Sequence, residues 1–297
     1  MAFIEEKKRT RGDRKDAVRV KDATGLNVIM NYLLKGRVDN EVYIHNEIDI
    51  TELLKYIEKK NQENPERKLT MFHCFVTMAA RLCNERPKLN RFIRRSKLYE
   101  RDQISISFVA KRKFTDHAEE ALVVYKAKAK DTVEEVSRFV IGDVKKMRSS
   151  DSAQGLDDTI NKVGSMPWPI VKLITSAERF LDFMGIAPDF FTEGDPNYST
   201  VLMSNLGSVK CPAVYHHLNN YGSCSILFTI GVMHKGVAIL EDNSFAVHDF
   251  VDIGVTLDER IADGFYFSKS LKLFQYICNH PEILDMPLEE DSNYDYK

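Results

Sequence analysis

The chain has 297 residues, of which 43% are apolar and 29% charged, and its formal net charge at pH 7 is −2. This composition is typical of a globular protein with a sizeable core, and a near-neutral charge gives no long-range attraction for nucleic acid or membrane. There are five cysteines and no C-x-x-C pair, which argues against a disulfide framework or a zinc site and predicts a reducing compartment. We therefore expect a cytoplasmic protein, since no N-terminal segment is typical of a signal peptide and no apolar run is typical of a membrane span.

The first 22 residues are the most biased segment. Basic residues crowd together there, mixed with acidic ones, at Lys7, Lys8, Arg9, Arg11, Arg14 and Lys15. Segments of this kind are usually solvated, so residues 1–22 are predicted to be an exposed basic arm. The alternative is phosphate or nucleic-acid binding, which would be strongly salt-dependent.

Strands and helices are predicted in turn along the first half of the chain. Alternating apolar and polar residues, or β-rich runs, predict strands at 41–48, 103–111 and 122–127. Helical spacing of apolar residues predicts helices after residue 50, after Thr70 as an N-cap, and after a Thr132-x-x-Glu135 capping box.

The second half begins with a small, polar stretch at 149–158, which predicts a loop, and an amphipathic helical segment follows at 163–187. Further strands are predicted at 200–203, 225–232, 237–240 and 245–257, with a hairpin at 241–243 and a closing helix at 261–278. Helices grouped with several strands, without a regular βαβ rhythm, predict the α+β class.

The domain organisation follows from the absence of a long Gly/Ser- or Pro-rich linker. One domain is predicted at 23–285, with a helical insert at about 156–190 and an acidic tail at 286–297.

Four short motifs resemble one known superfamily, in its order and over more than 200 residues. They are N-E-I-D-I-T-E-L-L at 46–54, E-R-P-K-L-N at 85–90, S-N-L-G at 204–207 and E-R-I-A-D-G at 259–264. Together they resemble the superfamily of chloramphenicol acetyltransferase and the 2-oxoacid dehydrogenase acyltransferases, whose signature is H-x-x-x-D-G. Glu259 stands where that signature has its histidine.

The resemblance implies a two-layer α+β sandwich of mixed sheet and helices that assembles as a homotrimer, with active sites in channels between subunits. It also implies coenzyme A or an acyl thioester as the ligand and a small molecule as the acyl acceptor. No metal is expected, because no pair of histidines has metal-ligand spacing with a third partner, and the near-neutral charge argues against a nucleic-acid partner. Dehydrogenase acyltransferases carry lipoyl domains ahead of the catalytic domain. The printed chain begins almost directly with the catalytic-type region, so no covalent lipoyl group is expected.

The resemblance also implies roles for single residues. The residue corresponding to Ser204 donates a hydrogen bond to the tetrahedral oxyanion, and Asn205 follows it in the motif. The residue corresponding to Asp263 holds local structure through an arginine, for which Arg19 and Arg37 are candidates. The residue corresponding to Gly264 allows a tight turn into the last helix.

Glu259 changes the proton chemistry. The family histidine is a general base, and its pKa of about 6.5 lies about two units below that of a coenzyme thiol. The pKa of a glutamate, near 4.3, lies about four units below that of the thiol. If proton transfer limits the rate, glutamate is therefore roughly a hundredfold slower as a base than histidine. Burial in an apolar channel would raise the glutamate pKa and narrow this gap. Three interpretations of Glu259 remain: a surface or ion-paired residue, a working base or acid, and a ligand-binding residue without catalysis.

His216 and His217 are a second candidate for the base, in a segment that in the family lines the substrate channel. If the segment were a strand, adjacent residues would point to opposite sides, and at most one would face the channel. The alternative is a pair of loop histidines bonded to the backbone.

The sequence therefore predicts an acyltransferase-like protein, with Glu259, Ser204 and Asp263 in catalytic positions. Substrate contacts are predicted for His216, His217, Asn205 and Gly264. The rival hypothesis is a catalytically degenerate scaffold or regulatory homologue. In either case, the apolar residues of the insert could add a wall to the substrate site.

Overall fold

The computed structural model describes residues 9–23, 25–111, 120–149, 162–240 and 242–296. The strands are β1 Ala17–Arg19, β2 Glu41–Asp49, β3 Arg91–Arg94, β4 Lys97–Arg101, β5 Ser105–Lys111, β6 Glu120–Lys126, β7 Val201–Asn205, β8 Ile226–Ile239 and β9 Phe245–Asp258. The helices are α1 Leu26–Leu33, α2 Thr51–Glu63, α3 Met71–Glu85, α4 Val133–Ser149, α5 Trp168–Met184, α6 Asp189–Thr192 and α7 Gly264–Asn279.

Two sheets are formed by the described strands. The larger has six strands in the order β2-β9-β8-β7-β5-β6, and the smaller has the order β1-β4-β3. In the larger sheet β7 runs parallel to β5 and β8, and the other pairs are antiparallel. Helices α2, α3, α4 and α7 bury their apolar faces on this sheet in one contiguous core. The predicted α+β sandwich of a mixed sheet and helices is therefore confirmed.

Helix α3 is the centre of the helical layer, because its residues from His73 to Asn84 are all buried. Thr70 caps it as predicted, with its hydroxyl accepting a hydrogen bond from the His73 N–H at 3.4 Å. Arg81, on the same helix, is fully buried and donates to the carbonyls of Met286, Pro287 and Glu290. The start of the acidic tail, over residues 286–290, is thus hydrogen-bonded to α3.

The N-terminal arm is folded where it forms β1, which corrects the prediction there, but most of its described basic side chains are exposed as predicted. Ala17–Arg19 pairs with β4, and Ala17 is fully buried. Arg14 is buried as well, because its guanidinium binds Asp182 on the insert helix. Residues 1–8 of the predicted arm lie outside the described residues.

The insert is attached to the small sheet by a buried carboxylate. Asp182 on α5 is only 1% exposed, and it pairs with Arg14 at 3.0 Å and with Arg94 of β3. The helix ends at Gly185, which has the positive φ typical of a glycine C-cap. The loop predicted at 149–158 falls almost wholly outside the described residues. None of the helices that the structure describes has the length and apolarity needed to cross a bilayer.

Two element boundaries differ from the predictions. The strands predicted at 225–232 and 237–240 form the single strand β8, which pairs with β9 through a register shift between Ile230 and Met233. The last helix begins at Gly264 instead of Ile261, because Asp263 is its N-cap. The Thr132–Glu135 capping box is present, with the carboxylate accepting from the Thr132 N–H at 3.0 Å.

We expect Asp182→Asn to destabilise the protein by about 3 kcal/mol, because it leaves two arginines without their buried counter-charge. The matched control is Asp189→Asn, which removes a carboxylate of the same insert from an exposed pair with Lys15 and should leave stability nearly unchanged. Urea unfolding of both variants measures the effect. Equal midpoints for the two would contradict the attachment of the insert by Asp182.

Candidate functional site

The end of β9 is fixed by a buried cluster of ionic side chains. Asp258 is fully buried and accepts from Arg260 in a bidentate pair, with Nε to Oδ1 at 2.8 Å and Nη2 to Oδ2 at 2.6 Å. Arg37 approaches the same carboxylate at 3.8 Å and also donates to the backbone carbonyls of Asn219, Tyr221 and Gly222. The cluster therefore joins the strand end to two loops that are distant in sequence.

Glu259 lies between Asp258 and Arg260, whose side chains are both buried, and its own side chain is exposed. Its backbone N–H donates to the Asn40 carbonyl at 3.0 Å, which holds this position against the loop before β2. Within the described part of the chain, the Glu259 carboxylate has no ion-pair partner, so it does not pair with Arg260.

Asp263 has a structural role at the start of α7. Its carboxylate accepts from the Tyr266 N–H at 2.8 Å, the contact that defines an N-cap. Arg37, one of the two arginines considered as its partner, pairs with Asp258 instead. Among the residues described, Asp263 has no arginine within ion-pair distance.

Gly264 is the first residue of α7, and it does not have the positive φ that would require glycine. A Cβ placed there meets nothing within 4 Å. The chain does turn over residues 259–262, just before α7, but neither the backbone nor the space at position 264 requires glycine there.

Ser204 lies near the end of β7 and is half-buried, and its hydroxyl has no hydrogen-bond partner among the described residues. The next residue, Asn205, turns its side-chain oxygen inward to accept from the Ser208 N–H at 3.3 Å. Gly207 completes the turn, because a Cβ there would lie 2.3 Å from the Gly231 carbonyl oxygen. The S-N-L-G motif thus forms a tight turn that leaves the serine hydroxyl free.

Ser204 and Glu259 lie far apart within one chain. In the register of the sheet, Ser204 of β7 lies beside Thr229 of β8, and Thr229 lies beside Gly254 of β9. Glu259 is five residues beyond Gly254, which corresponds to about 17 Å along the strand direction. Groups that act on one reacting atom must both come within about 3 Å of it. A single protomer cannot bring these two side chains together.

His216 and His217 are both exposed and lie in an irregular segment, so the strand-alternation argument does not apply to them. Each Nδ1–H donates to a backbone carbonyl, at 2.9 Å for His216 and 3.2 Å for His217. In the neutral ring this leaves Nε2 as the basic nitrogen. The next residue, Leu218, donates its N–H to the Glu41 carboxylate. Glu41 lies opposite Asp258 in the register of β2 and β9. The two histidines therefore lie toward the Glu259 end of the sheet.

A group of potential metal ligands was missed by the sequence analysis, because its members come from three strands. Glu47, His234 and Asp252 place one ligand atom each within 4.8 Å of one another. His234 donates to Glu47 at 2.9 Å, and this hydrogen bond raises the pKa of the imidazole. All three side chains are at least partly exposed.

Comparison with known proteins agrees with this architecture. The family model described as the catalytic domain of 2-oxoacid dehydrogenase acyltransferases matches residues 28–115, a range that includes two of the four motifs. No curated protein sequence matches the chain.

Solved structures extend the likeness over nearly the whole chain. A probable dihydrolipoamide acetyltransferase from Listeria monocytogenes is 17% identical with a TM-score of 0.57, over 93% of this chain and 99% of that one. The dihydrolipoamide acetyltransferase of Azotobacter vinelandii is 13% identical with a TM-score of 0.59, over 90% and 94%. A chloramphenicol acetyltransferase is 11% identical with a TM-score of 0.52, over 89% and 98%. The resemblance drawn from the motifs is thereby confirmed, and the chain has the fold of this superfamily.

The two glycines of the motifs should respond differently to mutation. Gly207→Ala forces a Cβ against a backbone carbonyl and should cost about 1–3 kcal/mol of stability. Gly264→Ala places its methyl group in open space at a helical position and should be neutral or slightly stabilising. Thermal unfolding of both variants distinguishes these cases, and a large loss for Gly264→Ala would contradict the geometry described here.

Proposed function

We propose that this protein is an acyltransferase-like protein that binds coenzyme A or an acyl thioester at a site formed between protomers of a homotrimer. In this proposal an acyl group passes to a small acceptor. The observation that carries the proposal is the separation of Ser204 from Glu259. Both are accessible positions of recognised motifs, but they can act together only when two chains supply them.

The relatives support these two positions. For the Azotobacter vinelandii enzyme, a serine, a histidine and an asparagine are named in the catalytic mechanism, and the last two are four residues apart. Glu259 and Asp263 have the same spacing. Family acyltransferases work on thioesters of coenzyme A or of lipoyl arms, and this chemistry supports coenzyme A as the ligand here.

A projecting hairpin supports the assembly. Beyond His234 and Phe250, β8 and β9 continue as a two-stranded arm. Its apolar side chains share one face and are 66–74% exposed, namely Val237, Ile239, Phe245 and Val247. A two-stranded ribbon with an uncovered apolar face is marginally stable by itself in water. A neighbouring protomer that covers this face would also bring its sheet close to the first.

Each residue then has a defined task. The free Ser204 hydroxyl of one protomer donates to the developing oxyanion, as such donors do in acyl transfer. The Glu259 carboxylate of the next protomer accepts the thiol or hydroxyl proton, with Nε2 of His216 or His217 as the alternative base. Asp263 holds the start of α7 by capping it, and Asn205 holds the turn after Ser204. The cytoplasmic location remains a prediction.

The activity itself is tested by mixing the protein with acetyl-coenzyme A and a panel of thiols, alcohols and amines. Ser204→Ala should lower the turnover number by about a hundredfold or more, because an oxyanion donor is lost, and Glu259→Gln should do the same if it is the base. Glu282→Gln, a substitution at an exposed glutamate after α7, is the control and should keep full activity. If Glu259→Gln is active, double replacement of His216 and His217 tests the alternative base.

A complementation experiment tests the position of the site between chains. Co-expression of the Ser204→Ala and Glu259→Gln chains in equal amounts should restore about a quarter of the sites, because each site takes one residue from each of two protomers. Separately purified variants, mixed without subunit exchange, are the control. The absence of any recovery in exchanged trimers would show that the two residues do not share a site.

The oligomeric state is tested independently of activity. Ile239→Glu should weaken or abolish the trimer in sedimentation experiments, because it places a charge in the proposed apolar contact. Leu173→Glu is matched to it, since Leu173 on the insert is 70% exposed and Ile239 is 71% exposed. The trimer should survive Leu173→Glu. A wild-type protein that sediments as a monomer would overturn the proposed assembly.

The second candidate is a degenerate homologue that acts as a scaffold or regulatory subunit. It is favoured by the exchange of the motif histidine for Glu259, whose carboxylate is exposed in the isolated chain. This candidate predicts a trimer that binds coenzyme A without turning over any acyl donor. Binding without turnover in the assays above would establish it.

A further inference from the structure

A strongly basic pocket lies where the insert, the small sheet and the end of β9 meet. Its volume is about 360 Å³, and its cationic lining residues are Lys35, Arg37, Arg94, Arg95 and Arg260. Ser96, Asn220, Ile93, Gly36 and Phe183 complete the lining. Lys35 and Asn220 are exposed, which keeps the pocket open to solvent. No carboxylate lines it among the residues that the structure describes.

The positive charge of this pocket is only partly compensated. Asp258 serves both Arg37 and Arg260, and Asp182 serves Arg94 but is shared with Arg14. Five cationic side chains thus face two carboxylates, one of which also neutralises a cation outside the pocket. Burial lowers the pKa of Arg37, and the charges of Arg94 and Arg260 lower it further, although Asp258 opposes this. An anion in the pocket would relieve this repulsion.

Three guanidinium N–H groups of the pocket are buried without a hydrogen-bond partner among the described residues. They are the Nε groups of Arg37, Arg94 and Arg95. Buried donors of this kind are rare in folded proteins, because each one loses its hydrogen bonds to water. Arg37 is only 4% exposed, and its Nε lies 3.8 Å from Asp258 Oδ2, so its nearest counter-charge is that carboxylate.

The turn between β3 and β4 shows that Arg95 is held in position. Arg95 and Ser96 have φ values of 53° and 55°, a conformation that two-residue hairpin turns usually obtain from Asn-Gly. The Arg95 guanidinium lies over the Phe183 ring at 4.4 Å, which directs it across the gap toward the insert. Its Nη2 also donates to the Met184 sulfur at 2.6 Å, which fixes the guanidinium and its positive charge at the wall of the pocket.

We propose that this pocket is a binding site for a phosphate group, carried by a small molecule or by a lipid headgroup. Arginine forks and a lysine match the geometry and charge of phosphate oxygens. The volume exceeds that of inorganic phosphate, and the Phe183 ring offers an apolar surface to the organic part of the ligand. The site does not depend on the acyl transfer proposed above, because neither Ser204 nor Glu259 lines it.

The test is isothermal titration calorimetry of the full chain with inorganic phosphate, pyrophosphate and ADP at low salt. Pyrophosphate should bind more tightly than phosphate, and its affinity should fall as salt is added. Arg95→Gln and, separately, Lys35→Gln should each weaken binding by about tenfold, the loss expected for one charged hydrogen bond. Arg138→Gln removes the same charge from an exposed position on α4 and should leave binding unchanged. Arg94 is not replaced, because it holds the buried Asp182.

A second arm distinguishes the source of the phosphate. Co-sedimentation with phosphatidylcholine vesicles, with and without phosphatidic acid, measures headgroup binding for wild type and for Arg95→Gln. If the soluble probes bind and Arg95→Gln weakens that binding, the site is assigned to free phosphate compounds. Binding to phosphatidic acid alone, with the same sensitivity, assigns it to a lipid headgroup.

The outcomes that overturn the proposal are equally defined. They are no binding in either arm, or binding that Arg95→Gln and Lys35→Gln leave unchanged. Circular dichroism and thermal unfolding confirm that the variants are folded, and the exposed position of Lys35 makes its variant the safer one. Pyrophosphate titration of Glu259→Gln separates the two proposals, because the phosphate site should persist there even if acyl transfer is lost or never present.

Discussion

The buried triad of Asp258, Arg260 and Arg37 is the constraint on which the site depends. Three charges withdrawn from water are tolerated only because they pair with one another and with backbone carbonyls. Asp258 and Arg260 both turn inward, and the residue between them, Glu259, is left facing outward at the end of β9. The same arginines hold the loop before β2 and the loop at 219–222. This ionic cluster thus determines that the Glu259 side chain is exposed.

The register of the sheet then separates two residues of the motifs, Ser204 and Glu259. Ser204 lies near the end of β7 and level with Gly254 inside β9, whereas Glu259 follows the end of β9, and each is accessible in the isolated chain. An assembly of identical chains can bring the two ends together, and the exposed apolar face of the β8–β9 arm is suited to such an assembly. In the proposed reaction, the exchange of histidine for glutamate concerns the proton acceptor and not the oxyanion donor.

The insert forms part of the basic pocket in the same region. Asp182 attaches it to the small sheet through Arg14 and Arg94, and this attachment brings Phe183 beside Arg95. The insert therefore closes one side of the basic pocket, and Arg37 and Arg260 close the other. The insert has no recognised counterpart among the superfamily motifs, and Arg260 lies inside one of them. Both contribute to the same cavity.

Local pattern in the sequence was sufficient for the long elements and for the fold class. Alternation and helical spacing located β2, α2, α3, α4 and β9, and the four motifs identified the superfamily. The strands of the small sheet have three to five residues each, too few for alternation to be visible. The polar run at His234 and Lys235 divided β8 in the sequence, whereas its pairing with β9 continues through that run. The pairing of Arg37 with Asp258, the free hydroxyl of Ser204 and the convergence of five basic side chains were decided by the tertiary structure alone. Contacts between residues distant in the chain leave no periodic signal, and only the folded sheet brings them together.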